Sequence, residues 1–376
     1  MKRVLVTDNL QDVGVEALEK EGLDVVVVPT LPESDLSPRI ADCHGLIVRS
    51  ATKVTATLLE AAPHLVVVGR AGAGVDNIDV ETASQRGIIV MNTPGANTIA
   101  VAEHTIGLLL SLARKVPQAH GALKGGTWDR ERFAGVELYN KVLGIAGLGR
   151  IGSEVARRAI GLRMQVIAYD PYLTAEVAQK IGAEVVELDE LFRRSDFISV
   201  HTPLTKETQN FIGPEEFARM KPGVRLINCA RGGVINEAAL VDAIRSGQVA
   251  GAALDVFEQE PLPRDHPLIG LEQVILTPHL AASTEEAQSA VALAIARQVA
   301  DVLVRGLVTN AVNVPSVDPE SLRELRPYLT LTEKIGSFLA QIAEGRMSQV
   351  QIEYAGEVTA LGTQPLTVTL LKGLLR

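Results

Sequence analysis

One short stretch constrains the fold more than any other. Lys141–Gly147 reads as a strand, Gly147-Leu148-Gly149-Arg150-Ile151-Gly152 follows at once, and a helical pattern runs from Arg150 to about Ala159. Strand, glycine-rich turn and helix in that order form the phosphate-binding crossing of a dinucleotide fold. Gly147 permits the tight turn, Gly149 lets a pyrophosphate approach the backbone, and Gly152 lets helix and strand pack closely. The helix N-terminus adds unbonded N–H groups and the positive end of its dipole. The next strand, QVIAYD, ends at Asp170, 23 residues after Gly147. An acid there accepts hydrogen bonds from the adenosine ribose hydroxyls and repels a 2′-phosphate, so NAD is expected over NADP. A second glycine-rich stretch, LVVVGRAGAGVDN, lacks the third glycine in register and leads to a strand ending in Asn92. It reads as a tight loop.

The rest of the chain alternates short apolar runs with amphipathic segments. The first series of strands is Val4–Thr7, Val25–Val28, Leu46–Val48, Val66–Val68 and Ile88–Val90, with helices such as Val13–Glu21, Thr57–Ala62 and Val80–Arg86 between them. The second is Val142–Ala146, Val166–Tyr169, Phe197–Val200, Val224–Asn228, Gly251–Asp255 and Val274–Leu276. With one Trp, five Tyr and seven Phe in 376 residues, the core must be aliphatic. Such alternation predicts an α/β chain with parallel sheets covered by helices on both faces. A long helix from Ile99 to about Arg114 would carry the chain into a second domain. Another, from Glu285 to Arg305 with Gly306 past its end, would return it to the first. After Val312 a proline-bearing linker is expected, then helical structure over Leu322–Ala343, a strand-like Val350–Tyr354 and a short apolar helix after Pro365. The expected division is 1–98 with 286–314, then 99–285, then 315–376.

Charge and cysteine content narrow the function. The net charge of −9 and pI near 5.4 argue against a nucleic-acid or anionic-membrane partner. Two cysteines, Cys43 and Cys229, form neither a disulfide framework nor a metal-ligand set, which suits a reducing, cytoplasmic setting. The N-terminus moves straight into a strand pattern without a signal-peptide core. Glu103 with His104, and Arg297, interrupt the two most apolar helices, so no run of 18 apolar residues occurs.

Ligands of open α/β sheets bind outside the carboxyl ends of the strands. Arg231 follows one such strand, Asp255 ends another with Glu260 five residues on, and His279 follows the last. Hydride transfer between a nicotinamide and a hydroxy acid needs a group to exchange the hydroxyl proton, and a cation for the carboxylate. His279 suits the first role, and the fork of Arg231 the second. Glu260 would hold the histidine ring and stabilise imidazolium. His44, His64, His104, His120, His201 and His266 lack that context and read as structural, with His104 the least settled.

These segments resemble the D-isomer-specific 2-hydroxyacid dehydrogenase family from the N-terminus to about Val314. The landmarks are GLIVRSATKVT (Gly45–Thr55), VVGRAGAGVDNID (Val67–Asp79), VMNTPGANT (Val90–Thr98), GLGRIG, INCARGGVINE (Ile227–Glu237), ALDVFEQEP (Ala253–Pro261) and PHLAAST (Pro278–Thr284). The resemblance implies a Rossmann-type NAD domain inserted in a flavodoxin-like, discontinuous substrate domain, followed by a partial α+β segment. It makes Arg231, Glu260 and His279 catalytic. Arg150, Ile151, Asp170, Thr202, Cys229, Ala230 and Asp255 would line the NAD site, and Arg49, Ser50, Arg70 and Asn97 would reach the substrate. The segment RSATKV points to members that oxidise 3-phospho-D-glycerate to 3-phosphooxypyruvate, the first step of L-serine synthesis. Arg49 and Arg70 suit a phosphate. A D-2-hydroxyacid or hydroxypyruvate reductase, and an NAD(H)-sensing corepressor on the same scaffold, remain alternatives. The family also implies a homodimer or homotetramer assembled through the nucleotide domains, with Trp128–Gly135 resembling its dimer loop. Ala73 stands where relatives often carry a hydroxyl, so no such contact is expected there. The 62 residues after Val314 are too few for a complete regulatory domain. Insensitivity to millimolar L-serine, and exposed apolar surface around Leu366–Leu375 unless a neighbouring subunit covers it, are therefore expected.

Overall fold

A computed structural model of the chain describes residues 1–314, 319–343, 349–361 and 363–375. The chain forms two compact units, Met1–Ala96 with Gln288–Arg376, and Asn97–Ala287.

The first unit is built on five parallel strands: β1 (Arg3–Val6), β2 (Asp24–Val27), β3 (Gly45–Val48), β4 (Val67–Arg70) and β5 (Ile89–Met91), in the order β2-β1-β3-β4-β5. Successive side chains leave opposite faces, and both faces are buried. Val4, Val6, Ile47 and Val67 pack with Val291, Ile295 and Val299 of the returning helix Glu285–Ala300. Leu5, Leu46, Val48 and Val68 pack with Leu36, Ile40, Leu58 and Leu59 on the other side. That is why these strands read as unbroken apolar runs rather than alternating ones. Each such buried aliphatic side chain contributes about 1.5–3 kcal/mol. The returning helix widens to π geometry over Asp301–Arg305 and stops at Gly306, whose φ of 67° is left-handed. The chain then runs along β5, where Ala311 bridges Met91 and the Val312 N–H donates to Val90 O at 2.7 Å. Helix Glu285–Arg305 is also long and apolar enough to cross a membrane, but 56% of its most apolar window is buried.

The second unit carries seven parallel strands: β6 (Val142–Ala146), β7 (Gln165–Tyr169), β8 (Glu184–Val185), β9 (Phe197–Val200), β10 (Val224–Asn228), β11 (Val249–Leu254) and β12 (Val274–Leu276). Their order is β12-β11-β10-β9-β6-β7-β8. Strand order reverses between β1 and β3 in the first sheet and between β6 and β9 in the second. These switch points are where open α/β sheets leave a crevice at their carboxyl ends. One face of the second sheet packs on helices Thr98–Arg114 and Arg150–Gly161, the other on Leu188–Arg194 and Glu237–Arg245.

The expected strands and long helices are present with ends shifted by one or two residues. The two-residue β8 and the helices Glu33–Ile40, which carries Pro38, and Val116–Lys124 were not read from the sequence. The tail departs further. Residues 315–318 of the expected linker lie outside the described residues. Helix Pro319–Ile342 follows, and Val350–Tyr354 forms no strand. Tyr354 instead packs beside Leu325 and Leu366, and its hydroxyl meets Thr367 Oγ1 at 2.9 Å. The expected apolar exposure around Leu366–Leu375 holds only for Val368 and Leu375. Leu366, Leu370 and Leu374 of helix Gln364–Leu374 are buried, and Leu375 alone among those four leucines is largely exposed. The cover is helix Pro319–Ile342, which approaches so closely that a Cβ on Gly336 would sit 2.0 Å from Leu370 O. Gly336→Val should therefore push the two helices apart, at about 1–3 kcal/mol of local stability. Amide exchange over Gln364–Leu374 should accelerate while exchange in the two sheets stays unchanged.

Candidate active site

The glycine-rich turn behaves as its sequence requires. Gly147 has a φ of 95°, and a Cβ on Gly152 would lie 2.1 Å from Gly147 O, so the turn and the helix it opens tolerate no side chain at these two points. A Cβ on Gly149 would meet nothing within 4 Å, leaving its surface open to a ligand. Helix Arg150–Gly161 starts there without a side-chain cap, so its first N–H groups are available to an anion. Asp170, one residue past β7, accepts the Leu148 N–H at 2.9 Å through Oδ2 and the Tyr172 N–H at 2.9 Å through Oδ1. It thereby ties the glycine turn to the acid that faces the ribose in such folds. Thr202 follows β9, and its hydroxyl oxygen is buried without a hydrogen-bond partner. A buried orphan hydroxyl, an open glycine and an uncapped helix are the pattern a dinucleotide would complete. Arg150 is exposed at the helix start, whereas Ile151 packs partly into the core.

After β10 the backbone turns through Cys229, Ala230 and Arg231. Buried Asn228 shapes the turn, accepting the Ala230 N–H at 2.9 Å and donating to Arg231 O at 2.8 Å. Burial pushes the Cys229 thiol up to about 12, so it lines the turn as a neutral group. A Cβ on Gly232 would lie 1.8 Å from Phe257 O, so the Arg231 turn and the loop that carries Glu260 are in direct backbone contact.

That second loop is pinned from below. Glu237, at the start of helix Glu237–Arg245, accepts the Glu258 N–H at 2.7 Å, and Glu258 accepts the Glu237 N–H at 3.2 Å. Burial raises the Glu237 carboxyl, and His266 Nε2 lies 3.2 Å from its other oxygen. Two residues on, Glu260 Oε1 accepts the Phe257 N–H at 3.1 Å and Oε2 meets His279 Nδ1 at 2.8 Å. Burial alone would raise the Glu260 carboxyl, but the His279 hydrogen bond and charge outweigh it and hold the group below the ordinary carboxylate range. An ionised Glu260 can only accept, so His279 Nδ1 donates and Nε2 is left as the atom for proton exchange.

His279 itself sits at a φ of 53°, a left-handed conformation that costs a residue with a side chain of order 1 kcal/mol. Asp255 sustains it. Fully buried past β11, Asp255 accepts the Thr277 hydroxyl at 2.6 Å, the Leu280 N–H at 2.8 Å and the Ala281 N–H at 2.8 Å, gripping the chain on both sides of the histidine. Burial would raise this carboxyl as well, and the hydrogen bonds from His104, Thr277, Leu280 and Ala281 bring it below the ordinary range. Asp255 has no exposed surface, and through these bonds it holds the His279 loop. His104, read as structural, supports the same acid: its Nε2 lies 3.3 Å from both Asp255 Oδ1 and Thr277 Oγ1. The only sequence clue was an ionisable residue on an otherwise apolar helix. His201 does behave structurally: burial lowers it to about 4, and it pairs with Ser199 at 2.8 Å.

In the first unit, Val48 pairs with Arg70, so Arg49 and Arg70 leave neighbouring strands at the same sheet edge. Ser50 is exposed beside Arg49. Asn97 stands at the N-terminus of helix Thr98–Arg114, in the second unit, and its side chain makes no capping bond.

The NAD binding domain model of the D-isomer specific 2-hydroxyacid dehydrogenases matches residues 106–281, and the intervening domain model of D-3-phosphoglycerate dehydrogenase matches residues 324–376. Among solved structures, the chain is similar to the NAD-dependent formate dehydrogenase of Staphylococcus aureus in complex with NAD, at 30% identity and a TM-score of 0.75 over 84% of this chain and all of that one. It is also similar to the D-lactate dehydrogenase of Aquifex aeolicus complexed with NAD and lactic acid, at 32% identity and a TM-score of 0.72 over 83% of this chain and all of that one. The chain belongs to the D-isomer specific 2-hydroxyacid dehydrogenase family, as an oxidoreductase that uses NAD on a small 2-hydroxy acid. Within that class, it is 48% identical over all of its 376 residues to D-3-phosphoglycerate dehydrogenase of Methanocaldococcus jannaschii, of which it spans 71%.

Asp170→Ala should weaken NAD binding by about ten-fold or more and erode the preference over NADP, as titrations of both nucleotides would report. Equal use of NAD and NADP by the unaltered protein would remove Asp170 from this role.

Proposed function

We propose that this chain oxidises 3-phospho-D-glycerate at its 2-hydroxyl to 3-phosphooxypyruvate, the first step of L-serine biosynthesis. The 2.8 Å contact between Glu260 and His279, at the carboxyl ends of the NAD-binding sheet, carries the chemistry. NAD, when bound, supplies the hydride acceptor for C2. His279 Nε2 takes the hydroxyl proton, and Glu260 stabilises the imidazolium that results. Arg231 pairs with the substrate carboxylate through its guanidinium fork, which orients C2 and opposes reaction in other registers. The full-length likeness to D-3-phosphoglycerate dehydrogenases supports a phosphorylated substrate, and Arg49 and Arg70 are its phosphate ligands in this reading. Ser50 and Asn97 add neutral contacts. The first unit is thus the substrate-binding part. The working form is a cytoplasmic homodimer or homotetramer with no nucleic-acid or membrane partner, a setting that suits its two unpaired, buried cysteines.

NADH formation from 3-phospho-D-glycerate, D-glycerate and D-lactate under identical conditions tests the substrate. The phosphorylated acid should lead by kcat/KM; a lead for either other acid would make the chain a reductase of non-phosphorylated substrates. No turnover of any of the three with NAD bound would favour a nucleotide-sensing role.

The pair also sets a pH dependence. Glu260 is held below the ordinary carboxylate range, so it stays charged as pH falls toward the acid side and goes on accepting the His279 Nδ1–H; the orienting bond is lost only as pH falls through that lowered value. Glu260→Gln should lower kcat about 100-fold through misorientation of the ring. An unchanged kcat in that variant would exclude Glu260 from proton transfer.

A further inference from the structure

At the carboxyl end of β1, the chain passes through two consecutive left-handed residues, Asp8 at a φ of 62° and Asn9 at 52°. The conformation turns the Asp8 side chain inward, where only 5% of the residue is exposed. Its carboxylate then accepts four hydrogen bonds. Oδ2 takes the Arg49 N–H at 2.9 Å and the Thr52 N–H at 3.0 Å; Oδ1 takes the Thr52 hydroxyl at 2.6 Å and the Thr30 hydroxyl at 2.8 Å. Burial alone would raise this carboxyl, but the donors from Thr52, Thr30 and Arg49 outweigh it, so the group stays ionised and its bonds are charge-assisted. From the other side, Asn77 Nδ2 donates to Arg49 O at 2.8 Å and to Thr52 O at 2.6 Å. The four residues Arg49–Thr52 are therefore held at both peptide ends by side chains from two other loops. All of this lies at the β1/β3 switch point of the first sheet, where a crevice for a ligand is expected.

We propose that Asp8, with Asn77, is a positioning residue that fixes the Arg49–Thr52 loop for recognition of the substrate phosphate, an inference that rests on Arg49 being a phosphate ligand. A loop of four residues without secondary structure has no rigidity of its own, and a flexible Arg loses binding energy to ordering. Asp8 removes that cost in advance: its carboxylate bonds the Arg49 backbone, and its carbonyl oxygen accepts from one guanidinium nitrogen, Nη1, at 3.5 Å. Its effect should fall on binding of the phosphorylated acid and leave hydride transfer alone.

The test compares Asp8→Asn, Asn77→Ala, Thr30→Val and Arg49→Ala in the full chain, with the KM for 3-phospho-D-glycerate, kcat and the Kd for NADH measured for each. Asn at position 8 turns one oxygen into a donor facing donors. Asp8→Asn and Asn77→Ala should raise the KM by about ten-fold, with kcat and the NADH Kd unchanged. Should Asp8→Asn fail to fold, Thr30→Val removes one exposed donor and should raise the KM about two-fold; an unchanged KM there overturns the proposal. A raised KM in Arg49→Ala beside an unchanged KM in a folded Asp8→Asn overturns it too, while leaving the phosphate reading standing. An unchanged KM in Arg49→Ala sinks the phosphate reading itself. Parallel losses in kcat and NADH affinity in Asp8→Asn would show a general structural role and also overturn the proposal.

Discussion

A carboxylate buried at the carboxyl end of a parallel strand must find donors, and each sheet supplies them from the loop of a neighbouring strand. Asp8 past β1 is satisfied by the loop that carries Arg49, and Asp255 past β11 by the loop that carries His279. In both places the backbone is left-handed at or beside the functional residue, at Asp8 and Asn9 in one unit and at His279 in the other. Such conformations persist only where surrounding contacts over-determine them. A buried anion with three or four donors does so, because leaving it unpaired costs more than the strained backbone. The reactive side chains themselves remain partly exposed: His279 and Glu260 keep about two-fifths of their side-chain surface, at 42% and 38%. Rigidity comes from the buried acids, and reactivity from the half-exposed pair they place.

Much of the fold was legible because parallel sheets bury both faces, so each strand announces itself as a compact β-branched run. The glycine fingerprint was legible for a related reason: every requirement on it is local, and Gly147, Gly149, Gly152 and Asp170 are fixed by one strand–turn–helix–strand crossing. The tail was less so. Val350–Tyr354 has the composition of a strand, but its tyrosine finds a helix pair to pack on instead. The leucines after Pro365 look unpartnered in sequence because the cover comes from a helix that approaches through two glycines, Gly336 on one helix and Gly373 on the other.

The site divides the same way. Arg231, Glu260 and His279 stand out because each follows a strand of one nucleotide-binding sheet. The residues that hold them, and those that hold the Arg49 loop, do not. Asp8 and Thr52 are 44 positions apart, His104 and Thr277 are 173 apart, and Glu237 meets Glu258 across two loops. No spacing rule links such partners, and a lone acid or histidine on an apolar background carries a low functional prior. Asp255 shows the limit most clearly. Its position at a strand end is legible, but its burial and its donors from Thr277, Leu280 and Ala281 are not.

The central claim is that Asp255 sets the His279 ring in place for Glu260. Selective ¹⁵N labelling of histidine, with the His279 ring tautomer read from two-bond ¹⁵N–¹H correlations of the NAD-bound protein, tests it most directly. In the unaltered protein the neutral ring should carry its proton on Nδ1, the atom that meets Glu260. In Asp255→Asn the loop loses its charged anchor, and the ring should shift toward the Nε2–H form that an unconstrained histidine prefers. An Nδ1–H tautomer that persists undiminished in Asp255→Asn would contradict the account, because Glu260 would then orient His279 without the buried carboxylate beneath it.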